Sequence, residues 1–225
     1  MQVLHIDSSI SGGQSVSRQL TASIIAQLKL TTPDLALSYR DLAAAPVPHQ
    51  SPALQFAKMK TLYELGALSG DIGEMVAAAV QGGAQVEPAA QAELAATNAA
   101  LDEFLAADTI VLGAPMYNFG ISSQLKAWID SLAAPGKTFS YSATGVQGLC
   151  GNKRVIIASS RGGVYSAASA MAFMDHQETF LSSFFSFIGI TDISFVRAEG
   201  VNLGAEQRQR ALDSALAEVA QLKAA

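Results

Sequence analysis

The sequence predicts a doubly wound α/β domain, a parallel sheet with helices on both faces. Three observations predict it. Short aliphatic runs such as Thr109-Ile110-Val111-Leu112 and Val155-Ile156-Ile157-Ala158 are apolar on both faces, as strands buried on both sides must be. Between such runs lie longer stretches with apolar residues at helical spacing. The two kinds alternate as β-α-β-α-β-α-β-α-β-α, the order that builds a parallel sheet through crossovers. No internal repeat and no second core interrupt the pattern, so residues 1–225 read as a single domain.

Val3-Leu4-His5-Ile6 is the first strand, and Asp7-Ser8-Ser9 turns it into a loop. Ser11-Gly12-Gly13-Gln14 is polar and glycine-rich, and Ser15 or Ser17 caps the next helix. Leu20, Ile24, Ile25 and Leu28 form its buried stripe to about Leu30, and Pro33-Asp34 breaks it. Residues 35–39 alternate as a second strand, and Pro46, Pro48 and Pro52 mark an exposed passage. Gly66, Gly70, Gly73, Gly82 and Gly83 then interrupt helical-looking pieces, so about 52–83 reads as an irregular insertion. Pro88 suits the first turn of a helix that buries Leu94, Leu101, Phe104 and Leu105.

The third strand, 109–114, stops at Pro115, and Ser122 or Ser123 begins a helix carrying Leu125, Trp128, Ile129 and Leu132. The fourth strand, 155–158, runs into Ser159-Ser160-Arg161-Gly162-Gly163. A helix with Phe180, Leu181, Phe184 and Phe185 follows, then a fifth strand at 193–196. A helix from Ala205 to Lys223, with Leu212, Leu216, Val219 and Leu222 as its stripe, closes the chain. Five strands in one doubly wound sheet fit a flavodoxin-like domain.

Composition removes several classes of chemistry. Of the 225 residues, 50% are hydrophobic and 15% charged, and the net charge is −5. A mildly acidic chain lacks the basic face of a nucleic-acid binder. The one cysteine, Cys150, forbids an internal disulfide and any CxxC pair, and reads as an incidental thiol. His5, His49 and His176 are too scattered for a metal site. The N-terminus lacks the basic and apolar regions of a secretory signal, and no run of about 18 apolar residues occurs. A cytoplasmic protein without a membrane span is the expectation. No G-x-S-x-G, G-x-G-x-x-G or G-x-x-x-x-G-K-[ST] is present, which leaves a serine hydrolase, a Rossmann site and a P-loop without support.

Ligands of open α/β sheets bind beyond the carboxyl ends of the strands. Three such ends are unusual here. The first loop combines hydroxyls and glycines and opens a helix, so it can cradle a phosphate or simply cap that helix. It holds no lysine, and Arg18 nearby is either a partner or a solvated charge. The second loop sets Met116, Tyr117 and Phe119 beside Asn118. Those apolar side chains either tuck into the core or stack on a flat aromatic group whose edge Asn118 would hydrogen-bond. The third, Arg161-Gly162-Gly163, lets a backbone be approached closely.

Together these segments resemble the FMN-dependent NADH:azoreductase / quinone oxidoreductase family. The resemblance is carried by Ala114-Pro115-Met116-Tyr117-Asn118-Phe119 with Leu125-Lys126, by Ser160-Arg161-Gly162-Gly163 and by Phe187-Ile188-Gly189-Ile190. It covers nearly the whole chain outside about 52–83. It implies a flavodoxin-like homodimer with one tightly but non-covalently bound FMN per protomer near the subunit interface. By the resemblance, Ser9, Ser15 and Ser17, with the Val16 backbone, bind the FMN phosphate. Met116, Tyr117, Asn118 and Phe119 line the flavin, and Ser160, Arg161, Gly162 and Gly163 contact its edge. Phe119, Tyr141 and Phe187 form aromatic walls of the substrate pocket, some from the partner subunit. Val16 stands where many relatives carry glutamine.

The implied reaction is a ping-pong, two-electron reduction of quinones and azo compounds by NADH or NADPH. It needs no metal and no charged triad. Tyr141, Tyr165 or water would donate a proton. The alternative on the same fold is a flavodoxin-type electron carrier without NAD(P)H-dependent turnover. A phosphoacceptor signalling domain would need an aspartate at the end of the third strand, where this chain has Gly113-Ala114-Pro115.

Overall fold

The computed structural model describes residues 1–142, 145–166 and 169–222. Its main sheet holds five parallel strands: β1 (Gln2–Asp7), β2 (Ala36–Asp41), β3 (Thr109–Pro115), β6 (Arg154–Arg161) and β7 (Asp192–Glu199). They lie in the order β2-β1-β3-β6-β7. Side chains alternate across the sheet, so period two divides the core. Leu4, Ile110, Leu112, Val155 and Ile157 join one cluster, while Val3, Val111, Ile156 and Ala158 join the other. The first face is covered by α4 (Pro88–Ala106), α5 (Ser123–Leu132) and α6 (His176–Phe187), which contribute Phe104, Trp128 and Phe185. The second is covered by α1 (Val16–Thr31) and α7 (Ala205–Val219), through Leu20, Ile24, Leu28, Ala215 and Val219. The α/β reading therefore holds, with all five predicted strands in place.

The helix boundaries follow capping chemistry. Ser15, not Ser17, caps α1, its side chain accepting from the Arg18 N–H, and Ser122, not Ser123, caps α5 through the Leu125 N–H. The last helix ends at Val219, and Lys223 lies outside the described residues.

Two differences from the sequence reading matter. The 52–83 passage is not irregular: it forms α2 (Pro52–Glu64) and α3 (Gly70–Gln81). Its glycines punctuate these helices rather than dissolve them. Gly66 (φ +68°) and Gly83 (φ +86°) end α2 and α3 in the left-handed conformation, and Ala67 and Ala84 reach back to the Leu62 and Ala79 carbonyls. The second difference is an antiparallel hairpin, β4 (Phe139–Ser142) with β5 (Gly145–Gly148), beyond α5. It docks on the end of α6 so closely that a Cβ at Gly148 would sit 2.2 Å from the Gly189 nitrogen. No helix among the described residues is long and apolar enough to cross a membrane.

Candidate active site

Register brings the strand ends together. Asp7 pairs with Gly113, Pro115 with Ser160, and Ser160 with Ala198. The loops after β1, β3, β6 and β7 therefore share one edge, at the switch point between β1 and β3 where such sheets bind ligands. Gly113 is required there, because a Cβ would lie 2.7 Å from the Asp7 carboxylate.

The first loop is built around buried hydroxyls. Ser9, Ser15 and Ser17 are all at most 4% exposed. Ser15 Oγ and Ser17 Oγ lie 3.1 Å apart, and the Ser11 N–H donates to Ser9 Oγ. The N–H groups of Val16 and Ser17, in the first turn of α1, have no partner within the helix. Arg18 is neither solvated nor turned into the cleft. Its Nε and Nη2 donate to the Ser9 carbonyl, at 3.3 and 2.8 Å, and Nη1 and Nη2 grip Asp41 at 2.8 and 2.7 Å. The Arg18 hydrogen bonds hold the Asp41 carboxyl below its usual range. Asp7 is also lowered: burial pushes it up, but His5, Thr21 and Tyr39 outweigh burial. This ionic layer lies under the loop and fixes the Ser9 backbone.

The second loop is a tight two-residue turn. Tyr117 and Gly120 exchange backbone hydrogen bonds at 2.9 and 3.0 Å, with Asn118 at φ +47° and Phe119 at φ +70°. Two successive positive φ values make a turn of the I′ kind. They are the only non-glycine positive φ values among the described residues. Phe119 stands in such a backbone at a cost of order 1 kcal/mol or more, a strain that clusters at functional sites. The turn is tied to its surroundings: the Met116 N–H donates to the Ser160 carbonyl, and the His176 N–H to the Phe119 carbonyl. Tyr117 closes the gap to the first loop, its hydroxyl oxygen lying 3.3 Å from Ser9 Oγ and accepting the Ile10 N–H.

One cleft results. It is lined by Ser9, Ser15, Val16, Met116, Tyr117, Ser160 and Gly162, and so unites all three predicted loops. A second opening, lined by Tyr117, Asn118 and His176, lies on the other side of the turn. No aspartate or glutamate lines the first cleft. Its donors are hydroxyls, backbone N–H groups and one guanidinium, a set that fits an organic phosphate with an attached ring. At Gly162 it is the Asn202 side chain that comes close, since a Cβ there would lie 2.8 Å from it.

Not every predicted residue faces this cleft. Arg161 points the other way: its side chain is 1% exposed and pairs with Asp175, Glu178 and Glu199. It also donates to Ser159 and Gln177. Three carboxylates hold the guanidinium in an ionic hub, which leaves the Arg161 backbone as the part of this residue that can border a ligand edge. Tyr165 packs edge-on to Phe119, with ring centroids 6.1 Å apart, and its N–H donates to Glu199. Tyr141 and Phe187 form a separate group around Phe139, at 5.4 and 4.8 Å, with no ring contact to Phe119 among the described residues. Tyr141 is 73% exposed and Phe187 41%, so both belong to the surface of the single chain. Cys150 is buried, and burial pushes its thiol pKa up, the environment of a structural thiol and not of a nucleophile. Among the described residues no His, Cys, Asp and Glu gather into a metal site.

Asn202 and Arg208, which none of the three predicted loops contains, also line the cleft, as does Gln14 of the first loop. Asn202 and Arg208 follow β7, far along the chain from the serine loop, and no local motif marks them.

Known proteins resemble this arrangement along its whole length. The chain is 50% identical over 225 residues to an FMN-dependent NADH:quinone oxidoreductase of Methylocella silvestris, covering 100% of both chains. It is 53% identical over 215 residues to one of Sinorhizobium medicae, covering 96% of this chain and 93% of the relative. The crystal structure of an azoreductase from Bacillus anthracis str. Sterne superposes with a TM-score of 0.80 at 25% identity, covering 98% of this chain and 97% of the other. Residues 1–222 match the model of the family described as having a flavodoxin-like fold, and the chain belongs to that family.

Proposed function

We propose that the protein is an FMN-dependent NADH:quinone oxidoreductase that also reduces azo compounds. The carrying observation is the acid-free cleft beside which Tyr117 joins the serine loop to the Met116–Phe119 turn. Relatives named for this activity match the full chain at about half identity, which supports the same reading.

In this reading Ser9, Ser15 and Ser17, with the N–H groups of Val16 and Ser17, hold the FMN phosphate at the positive end of α1. Met116, Tyr117, Asn118 and Phe119 bear on the ring, and the Ser160, Gly162 and Gly163 backbone borders its edge. FMN, once bound, supplies the two-electron chemistry that links NADH oxidation to quinone or azo reduction. The protein's share is to bind the ring, orient it by hydrogen bonds and leave one face open to each substrate in turn. Tyr165, packed against Phe119, is the nearer of the two candidate proton donors to the turn; Tyr141 reaches a site only from a partner subunit. The exposed Tyr141 and Phe187 are the apolar surface through which two chains would pair as a homodimer, each completing the other's pocket. A cytoplasmic location suits an enzyme that draws on NADH.

Steady-state kinetics with NADH and a quinone panel test this. Parallel double-reciprocal lines support one site used in turn. FMN binding without NADH-dependent turnover would instead make the protein an electron carrier.

A further inference from the structure

The cleft contains one charged side chain, and it comes from neither the serine loop nor the turn. Arg208, on α7, lines the cleft beside Ser9, Ser15 and Asn202. Its Nη2 donates to the Gln14 carbonyl at 3.0 Å, across 194 positions of sequence, which tethers it to the loop that opens α1. The other six arginines are all engaged by carboxylates: Arg18 with Asp41, Arg40 with Glu103, Arg154 with Asp192, Arg161 with three acids, Arg197 with Glu178 and Arg210 with Glu206. Arg208 alone has no acidic partner among the described residues, and the Gln14 carbonyl is its one protein acceptor there.

A phosphate monoester carries a charge of about −1.5 to −2 at neutral pH. The cradle offers neutral hydroxyls and a helix end worth about half a positive charge. Arg18, the nearest cation in sequence, is consumed by Asp41 and the Ser9 carbonyl. A guanidinium has five N–H donors, is charged at every relevant pH, and matches phosphate geometry.

We propose that Arg208 is a binding residue for the FMN phosphate, supplying the positive charge that the serine cradle lacks. The proposal rests on the FMN reading above. It makes cofactor affinity dependent on a residue of the last helix, and it makes that affinity sensitive to salt.

The test is binding of FMN and of riboflavin, which lacks the phosphate, to apoprotein, followed by flavin fluorescence. The variant Arg208→Gln removes the charge and the fork and keeps only a shorter amide donor; Arg208→Lys restores the charge without the fork. FMN binding to Arg208→Gln should weaken by about tenfold, the range of a charge-assisted hydrogen bond, while riboflavin binding is unchanged. The salt dependence of FMN binding should flatten in Arg208→Gln, and Arg208→Lys should recover part of the loss. Equal FMN affinity in wild type and Arg208→Gln overturns the proposal and leaves the FMN reading intact. A matching loss for riboflavin, or a loss that appears only in the KM for NADH, also overturns it. Wild-type protein that binds neither flavin overturns the FMN reading and this proposal together.

Discussion

The hydroxyl of Tyr117 lies 3.3 Å from Ser9 Oγ, and the same oxygen accepts the Ile10 N–H at 3.2 Å. This contact joins loops 108 positions apart. It bridges the serine loop and the Met116–Phe119 turn, so one phenol couples the proposed phosphate end of the cleft to its proposed ring end. Removing that oxygen leaves the ring in place but frees the first loop. Tyr117→Phe is expected to weaken FMN binding by roughly 0.5–1.5 kcal/mol, a few-fold to about tenfold, with the melting temperature of the apoprotein little changed. Fluorescence titration of apoprotein with FMN measures it.

Asn118 separates backbone need from side-chain chemistry. Its φ of +47° is one that glycine adopts freely. Asn118→Gly should therefore keep the turn and the stability while removing the amide proposed to bond the flavin. Asn118→Ala removes the amide and strains the turn as well. The prediction is weaker flavin retention in both variants, with a lowered melting temperature only in Asn118→Ala. FMN retained on gel filtration, together with thermal melts, reads both quantities.

Arg161 is a stabilising hub in the fold, although its motif lies at the site. With the guanidinium gone, Asp175, Glu178 and Glu199 would be left facing one another. Arg161→Gln should cost about 3–5 kcal/mol of stability, as expected when one partner of a buried ionic set is removed. Arg161→Lys should rescue little, because one ammonium cannot reach three acids as the planar fork does. Denaturant unfolding of the apoprotein measures both.

The Arg18–Asp41 pair sets a pH dependence. The pKa of Asp41 is lowered in the folded protein, so its contribution to stability is complete above its unfolded value and is lost as pH falls through the folded one. Asp41→Asn should therefore melt below wild type at neutral pH, with the gap closing as pH drops under about 4. Thermal melts of the two proteins across this range check the sign.

The fold was legible because the central strands carry the signal that burial demands. Ile110-Val111-Leu112 and Val155-Ile156-Ile157-Ala158 lie between helices on both faces, where apolar residues are favoured. The antiparallel pair β4 and β5 was not legible, since its four-residue strands are rich in serine and glycine and mostly exposed. In 52–83, Gly66 and Gly83 read as breaks within helices when they are the left-handed residues that end them. At the site, loop positions and residue types were legible, but side-chain direction was not. Arg161 and Arg18 are both arginines beside a ligand loop, and each turns away because carboxylates from distant strands or helices, Asp41 for one and Glu199 for the other, draw it. Arg208 reaches the cleft only through the packing of α7 beside α1.

The central claim is that this cleft holds FMN and passes electrons from NADH to a quinone. The most direct measurement mixes FMN-loaded protein with NADH under anaerobic conditions and follows the visible flavin band, then adds a quinone. The account predicts that NADH bleaches the band and that quinone restores it without further NADH. A protein that FMN cannot reconstitute, or a flavin band that NADH leaves untouched, would contradict it.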